Sequence, residues 1–186
     1  MEIKNLPVDK LYFTSDTHFG HTNIIKYCNR PYDTVEEMDE GIIKIWNKVV
    51  PKDGIVFHLG DFTFKGSKAI QEYRSQLNGT IYLCEGNHDN GREVRKSGCF
   101  HQIADIYDLT LQDDEMPEGK QEIVCCHYPI FSHKNSSHGA FHFHGHLHGL
   151  AGLNKISAVD VGIDVWQQPM TYQELKTHIT KKYLNK

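Results

Sequence analysis

The sequence predicts an α/β protein in which two β-sheets pack together and helices cover the outside. In the first half of its 186 residues, short runs of β-forming residues alternate with helical patterns, which is typical of a parallel sheet. The second half contains further short strand patterns and ends in an amphipathic helix. The strand-rich units in both halves therefore indicate two packed sheets.

The predicted strands of the first half share one feature, which is a polar motif at the carboxyl end of each. They are residues 11–15 before Asp16, residues 55–59 before Gly60-Asp61, and residues 80–84 before Gly86-Asn87. Ligands bind beyond the carboxyl ends of parallel strands, so these motifs are expected to share one site.

Two helices are predicted between these strands. Thr34 and Glu37 form a capping box, and the apolar residues that follow recur on one face up to Pro51, so residues 34–50 are expected to be helical. Residues 67–77 form a second predicted helix before the next strand.

The second half predicts a hairpin, two more strands and a C-terminal helix. Residues 106–111 and 122–126 alternate weakly and flank an acidic loop, which indicates a hairpin. Residues 141–144 and 158–161 are the further strands. Thr171 and Glu174 cap a helix that is expected to extend to about Tyr183.

The length and composition of the chain predict one globular domain, residues 1–186. The net charge of −4 argues against a general nucleic-acid coat. The five cysteines form no C-x-x-C pair, so free thiols in a reducing cytoplasm are expected. The N-terminus lacks a signal-peptide core, and no apolar run approaches the roughly 20 residues of a membrane span. We therefore expect a cytoplasmic protein with no membrane contact and no obligatory protein partner.

Five short motifs carry most of the chemistry. They are Asp16-Thr17-His18, Gly60-Asp61, Gly86-Asn87-His88-Asp89, His127 and Gly145-His146-Leu147-His148. Imidazole and carboxylate groups together suit first-row divalent ions such as Mn, Fe, Co, Ni and Zn. Magnesium is a poorer match, because it prefers all-oxygen ligands. The set fits two metal ions that share one bridging carboxylate.

In this order the five motifs resemble the signature of the calcineurin-like metallophosphoesterase superfamily, which runs D-x-H, G-D, G-N-H-[DE], H and G-H-x-H. Residues 16–25 also resemble the short bacterial and phage-type members, and residues 161–166 resemble their C-terminal strand. The resemblance implies a four-layer α/β/β/α sandwich with a binuclear metal centre.

The resemblance also implies a role for each motif residue. The implied metal ligands are Asp16, His18 and His148 for the first ion, Asn87, His127 and His146 for the second, and Asp61 as the bridge. A hydroxide between the ions would attack phosphorus in line with the leaving oxygen. His88 would assist the leaving group as general acid or transition-state stabiliser, with Asp89 orienting its ring. Mn²⁺ is the expected metal, with Fe, Ni, Co and Zn as alternatives.

Polar residues in loops near the motifs are candidates for substrate binding. His21, Asn23 and Arg30 follow the first motif, and arginine suits bidentate contact with phosphate. His133 and His138 lie in a polar loop between two ligand motifs. Ordinary loop hydrogen bonding is the alternative for each of them. The remaining histidines are expected to be surface or packed residues: His58, His101, His142, His144 and His178.

The expected reaction is hydrolysis of a small phosphodiester, such as a cyclic nucleotide, a dinucleotide or a nucleic-acid end, because no long insertion is present to cap the site. Phosphomonoester hydrolysis is the first alternative. A catalytically silent scaffold or binding protein with the same fold is the alternative of another class. Residues 60–66 and Glu85 depart from the extended motifs of protein Ser/Thr phosphatases, so that activity is disfavoured.

Overall fold

Two five-stranded sheets form the centre of the fold. The computed structural model describes residues 1–150 and 158–181. The strands, in chain order, are β1 (Glu2–Lys4), β2 (Leu11–Thr14), β3 (Ile55–His58), β4 (Thr80–Cys84), β5 (Gln102–Ala104), β6 (Ile106–Gln112), β7 (Lys120–Cys126), β8 (Phe141–His144), β9 (Ala158–Asp160) and β10 (Met170–Thr171). The helices are α1 (Thr22–Tyr27), α2 (Val35–Val49), α3 (Ser67–Ser75), α4 (Gly91–Ser97), α5 (Ile163–Trp166) and α6 (Tyr172–Ile179).

Both sheets are mixed. The first has the order β10-β2-β3-β4-β5, in which β2 to β5 are parallel neighbours and β10 is an antiparallel edge strand. The second has the order β1-β6-β7-β8-β9, in which only the β6–β7 pair is antiparallel. The carboxyl ends of β2, β3 and β4 therefore share one edge of the first sheet, and those of β7 and β8 share one edge of the second.

The main core lies between the two sheets. The ring of Phe13 on β2 meets Phe143 on β8 edge-on, with centroids 4.8 Å apart, and Phe57 on β3 meets Tyr107 on β6 at 5.4 Å. All four rings are fully buried. Aromatic side chains bury large apolar areas, so these contacts fix how the sheets face each other.

A second core covers the opposite face of the first sheet. Val56 and Ile81 pack there with Met38, Ile42 and Trp46 from the apolar face of α2. The central strands are thus buried on both faces, as expected for parallel strands.

The predicted α/β fold of two packed mixed sheets with helices is confirmed. The capping box of Thr34 and Glu37 begins α2, and β6 and β7 form the predicted hairpin. Among the described residues, the last helix ends at Ile179, and Tyr183 lies outside them. None of the helices in the described ranges is long and apolar enough to cross a membrane.

The prediction of a strand at residues 161–166 is wrong. After β9, only Gly162 pairs in an isolated bridge with Ser15, and α5 follows at once. The indole of Trp166 donates a hydrogen bond to the Asp160 carbonyl at 2.7 Å, which folds the segment back as a helical turn. The segment expected to be a loop after the first motif contains α1, so Asn23 lies on a helix.

Candidate metal centre

The five motifs all follow the carboxyl ends of strands. Asp16 comes after β2, Asp61 after β3, and Asn87 after β4. His127 comes directly after β7, and His146 follows β8. These strand ends bring together residues that lie far apart in the sequence, at the position where α/β sheets bind ligands.

The backbone at the motifs is held in a sparsely populated conformation. Asp16, His18, Asp61, His146 and His148 all have positive φ, between 49° and 71°. Aspartate and histidine enter this region more often than most side chains, yet it remains sparsely populated, and such backbone strain clusters at functional sites. The strain is therefore evidence that the directions of these side chains matter.

Asp16, His18 and His148 form the first group of candidate ligands, whose donor atoms all lie within 4.8 Å of one another. The Asp16 carboxylate is fully buried and accepts a hydrogen bond from Ser15 Oγ at 2.6 Å. The backbone N–H of His146 donates to both Asp16 oxygens at 3.1 Å. Both contacts hold the carboxylate in one orientation.

Asp61 lies between the two sets of predicted ligands. Its Oδ2 is 3.4 Å from His18 Nε2 and 3.5 Å from His127 Nε2. Its Oδ1 accepts a hydrogen bond from the backbone N–H of His88 at 2.8 Å. Asp16, Asp61 and His127 also form a group within 4.8 Å. Atoms that share one ion at about 2.1 Å are separated by roughly 3–3.5 Å, so these distances suit ligands of common ions.

The second set surrounds His127. Its Nδ1 lies 2.9 Å from the Leu59 carbonyl oxygen, which leaves Nε2 directed at Asn87 Oδ1, 2.8 Å away. The ring of His146 packs against that of His127 with centroids 5.1 Å apart. The structure therefore brings all seven predicted ligands to one place.

The donor set fits divalent metal ions. Both ring nitrogens of His18 are buried without a hydrogen-bond partner, which is rare unless a buried polar group has another ligand. Burial lowers the pKa of His18, so its ring is neutral, as a metal ligand must be. Burial also raises the pKa of the Asp16 carboxyl to about 8 despite the nearby His148. A bound cation would offset the free-energy cost of burying the charged form of this carboxylate.

Comparison with known proteins shows the family of the chain. The family model described as calcineurin-like phosphoesterase matches residues 10–179. The chain belongs to the calcineurin-like phosphoesterase family.

One relative is described as an uncharacterized protein and another by its gene number. An uncharacterized protein of Methanocaldococcus jannaschii is 52% identical over 82 residues, covering 43% of this chain and 47% of that protein, so the match spans about half of the relative's length. The Gene 66 protein of Mycobacterium phage L5 is 26% identical over 88% of this chain and 91% of its own. This relative agrees with the predicted likeness to phage-type members.

A solved structure shows the same fold. The crystal structure of a protein of unknown function from Aquifex aeolicus matches with a TM-score of 0.68 and 23% identity, covering 91% of this chain and 98% of that one.

A buried ion pair supports the first ligand group in this family member. Asp164 Oδ2 lies 2.7 Å from His148 Nδ1, which leaves His148 Nε2 facing Asp16 Oδ1 at 4.0 Å. The guanidinium of Arg30 binds both Asp164 oxygens at 2.7 and 2.8 Å. A carboxylate behind a histidine fixes which ring nitrogen can bind metal. Asp164 carries no sequence signal for this role, because its partners lie 16 and 134 residues away.

The Arg30 guanidinium makes its hydrogen bonds within the protein. Besides Asp164, its N–H groups donate to the carbonyls of Asp16 and Thr17 and to the Met38 sulfur. An arginine has five N–H groups, and all five have partners here. We therefore infer a positioning role for Arg30 in place of the expected phosphate contact.

Asp89 does not orient the ring of His88, which corrects that expectation. Its two oxygens accept hydrogen bonds from the backbone N–H groups of Asp61, Phe62 and Gly86 at 2.8, 2.9 and 3.0 Å. Asp89 thus ties the Gly60-Asp61 loop to the loop after β4. Sequence neighbours often point in different directions, so adjacency to His88 was a weak guide.

His88 and His21 lie at the open edge of the centre. His88 Nε2 is 4.0 Å from Asp61 Oδ2, and its side chain is 36% exposed. The rings of His21 and His88 lie 5.4 and 5.2 Å from the ring of His18. Both therefore remain candidates to contact substrate.

The other predicted substrate residues have no described contact with the centre. Asn23 is exposed on α1, and His138 is exposed in a short turn. His133 packs its ring against His142, with centroids 5.2 Å apart. Their proposed substrate contacts stay predictions.

Two glycines allow the loops to approach this closely. A side chain at Gly86 would collide with the backbone and carboxylate of Asp61, and one at Gly145 would collide with Ser15 and Asp16. Glycine is therefore required at both positions for the ligands to converge.

Proposed function

We propose that this chain is a two-metal-dependent hydrolase of small phosphodiesters. The observation that carries the proposal is the position of Asp61 within 3.5 Å of His18 on one side and His127 on the other. A single carboxylate between two sets of candidate ligands suits two ions that share it. Mn²⁺ is the first choice among the metals that imidazole and carboxylate favour.

The protein's own groups hold the ligands ready. The Leu59 carbonyl orients His127, and Asp164 orients His148, so that each presents Nε2 to the centre. When bound, two divalent ions would polarise the phosphoryl oxygen and lower the pKa of a coordinated water. Buried, preoriented ligands reduce the reorganisation that binding would otherwise need.

His88 supplies a proton to the leaving oxygen in this proposal. Its backbone is fixed by the hydrogen bond from its N–H to Asp61 Oδ1, while its ring stays partly exposed beside the same carboxylate. A ring in that position reaches a substrate that sits on the ions. A general acid is worth about 10²–10⁴-fold in rate.

The charge of the site supports a diester over a monoester. A phosphomonoester is a dianion near neutral pH, whereas a diester carries one charge, so a monoester gains more from an extra cation. Arg30, the arginine of the loops around the first motif, is paired with Asp164 and buried. Its charge is largely offset, which favours the less charged substrate.

The test compares bis-p-nitrophenyl phosphate with p-nitrophenyl phosphate in the presence of Mn²⁺ or Ni²⁺, with chelator as control. The proposal expects metal-dependent hydrolysis, faster for the diester. Faster hydrolysis of the monoester would make the protein a phosphatase. Absence of turnover of either substrate in protein with two bound ions would contradict the proposal and favour a scaffold role.

A further inference from the structure

Two large exposed rings lie against the histidines of the metal centre. Phe64 and Tyr128 are each 49% exposed. The Phe64 ring packs against His88 and His21, with centroids 4.3 and 4.6 Å apart. An aromatic ring that is half in water forgoes part of the benefit of burial, so such rings beside a site often serve binding.

Tyr128 holds the corresponding position beside the other ligands. Its ring packs against His127 and His146, with centroids 4.9 and 4.8 Å apart. The two aromatic residues are thus attached to different parts of the centre, Phe64 through His88 and Tyr128 through His127.

Asp61 connects these two parts. The Nε2 atoms of His88 and His127 lie 4.0 and 3.5 Å from the same Asp61 oxygen. A phosphate held over Asp61 would therefore have Phe64 beside one of its histidine neighbours and Tyr128 beside the other. Each ester group of a diester could then meet its own ring.

We propose that Phe64 and Tyr128 are stacking surfaces for two nucleobases, one on each ester oxygen of the substrate. The inference rests on the proposed function and narrows its substrate class to a phosphate that joins two nucleosides. Every base has a π-face, so stacking of this kind tolerates different bases. A cyclic mononucleotide has one base and would use only one of the two rings.

Charge limits the length of the substrate. The chain carries a net charge of −4, which opposes a long polyanion. A dinucleotide carries few phosphates and gains its affinity from the two stacked bases. The net charge therefore favours a dinucleotide over a nucleic-acid polymer.

The test measures KM and kcat for thymidylyl-(3′→5′)-thymidine, with dimethyl phosphate as a reference diester that carries neither a base nor another aromatic ring. The variants are Phe64→Leu and Tyr128→Leu, which remove a ring but keep an apolar side chain. The matched controls are Phe64→Tyr and Tyr128→Phe, which keep the ring. Metal content is measured for every variant.

Each leucine variant is expected to raise KM for the dinucleotide by about 5- to 150-fold, the fold-change equivalent of 1–3 kcal/mol per stacked base. The selectivity for the dinucleotide over the reference should fall in proportion, with two ions still bound. The ring-keeping variants should retain the wild-type KM to within about twofold.

Two results would overturn the inference. One is a wild-type KM for the dinucleotide in both leucine variants. The other is an equal loss of rate for both substrates together with lost metal, which would mean that the rings only support the histidines.

Failure of the proposed function gives a different pattern. If the wild type hydrolyses neither diester, dinucleotide binding to the metal-loaded protein is measured by calorimetry. Binding that weakens in the leucine variants would then support the stacking surfaces without the reaction. Absence of binding at millimolar dinucleotide would refute them.

Discussion

Replacement of Asp164 by asparagine tests how the protein prepares His148 to bind metal. Asp164 accepts hydrogen bonds from Arg30 and contacts His148 Nδ1 at 2.7 Å. Burial lowers the pKa of His148, but the hydrogen bond with Asp164 and other neighbours raise it to about 10. The carboxylate therefore holds a proton on Nδ1, and a metal that binds Nε2 would displace the second proton that the metal-free ring carries there. An asparagine side chain at this position could present its amide N–H instead and favour the wrong ring nitrogen.

The size of the effect follows from the burial of the pair. The side chains of Arg30 and Asp164 are only 4% and 7% exposed, so removal of one partner has the effect on stability that is known for buried ion pairs. Loss of one partner of a buried pair costs about 3–5 kcal/mol of stability. Loss of a carboxylate behind a metal-binding histidine costs about 10–100-fold in metal affinity.

The assay titrates Mn²⁺ into metal-stripped Asp164→Asn protein by calorimetry, with thermal unfolding measured in parallel. Asp53→Asn is the matched control, because Asp53 pairs with Lys10 at the surface, with side chains 65% and 44% exposed. Such a surface pair is worth about 0–1 kcal/mol, so this control should bind metal normally. A folded Asp164→Asn protein that binds both ions with wild-type affinity would refute the positioning role.

Three further perturbations test other parts of the site and fold. Asp61→Asn should abolish turnover and weaken the binding of both ions in a metal-binding titration, because one carboxylate charge serves both ions. A near-normal rate with two bound ions would contradict the assignment of Asp61 as a shared ligand. His88→Ala should keep both ions but slow hydrolysis by about 10²–10⁴-fold, less for substrates with good leaving groups; equal losses for good and poor leaving groups would oppose the acid role. Burial lowers the pKa of His58 to about 3 in the folded protein. Below pH 6.5 the His58 ring therefore binds a proton more readily in the unfolded chain than in the folded protein. The stability that the buried neutral His58 ring contributes is therefore fully present above pH 6.5. As the pH falls from 6.5 towards 3, the free energy of unfolding decreases by about 1.4 kcal/mol per pH unit. His58→Leu should flatten this acid limb in denaturant unfolding of the metal-free protein, and an unchanged slope would contradict it.

The sequence predicts the candidate ligands because each depends on a local pattern. A strand that ends on a polar motif is recognisable from a few residues, and parallel strands bring such ends together. Asp16, Asp61 and Asn87 therefore converge as the strand order requires. The capping box of α2 is equally local.

The residues behind the ligands could not be found in this way. Arg30 and Asp164 are separated by 134 positions, and their pairing depends on how the loop after α1 meets α5. Asp89 looked like a partner of His88 because the two are adjacent in sequence. Its carboxylate instead satisfies backbone N–H groups of the Asp61 loop, which only the folded loops bring within reach.

Short elements were missed for a different reason. Strands β1 and β5 have three residues each and β10 has two, too few to display a period. Residues 161–166 contain β-forming side chains, yet the contact between Trp166 and the Asp160 carbonyl turns them into α5. Tertiary contacts override weak local preference in such segments.

The most direct test of the central claim follows bis-p-nitrophenyl phosphate hydrolysis while Mn²⁺ is added stepwise to metal-stripped protein, with bound metal counted in each sample. A centre in which Asp61 serves two ions predicts that the rate rises with the second equivalent of metal and reaches its plateau at two ions per chain. Full activity with one bound ion, or none with two, would contradict the two-metal account.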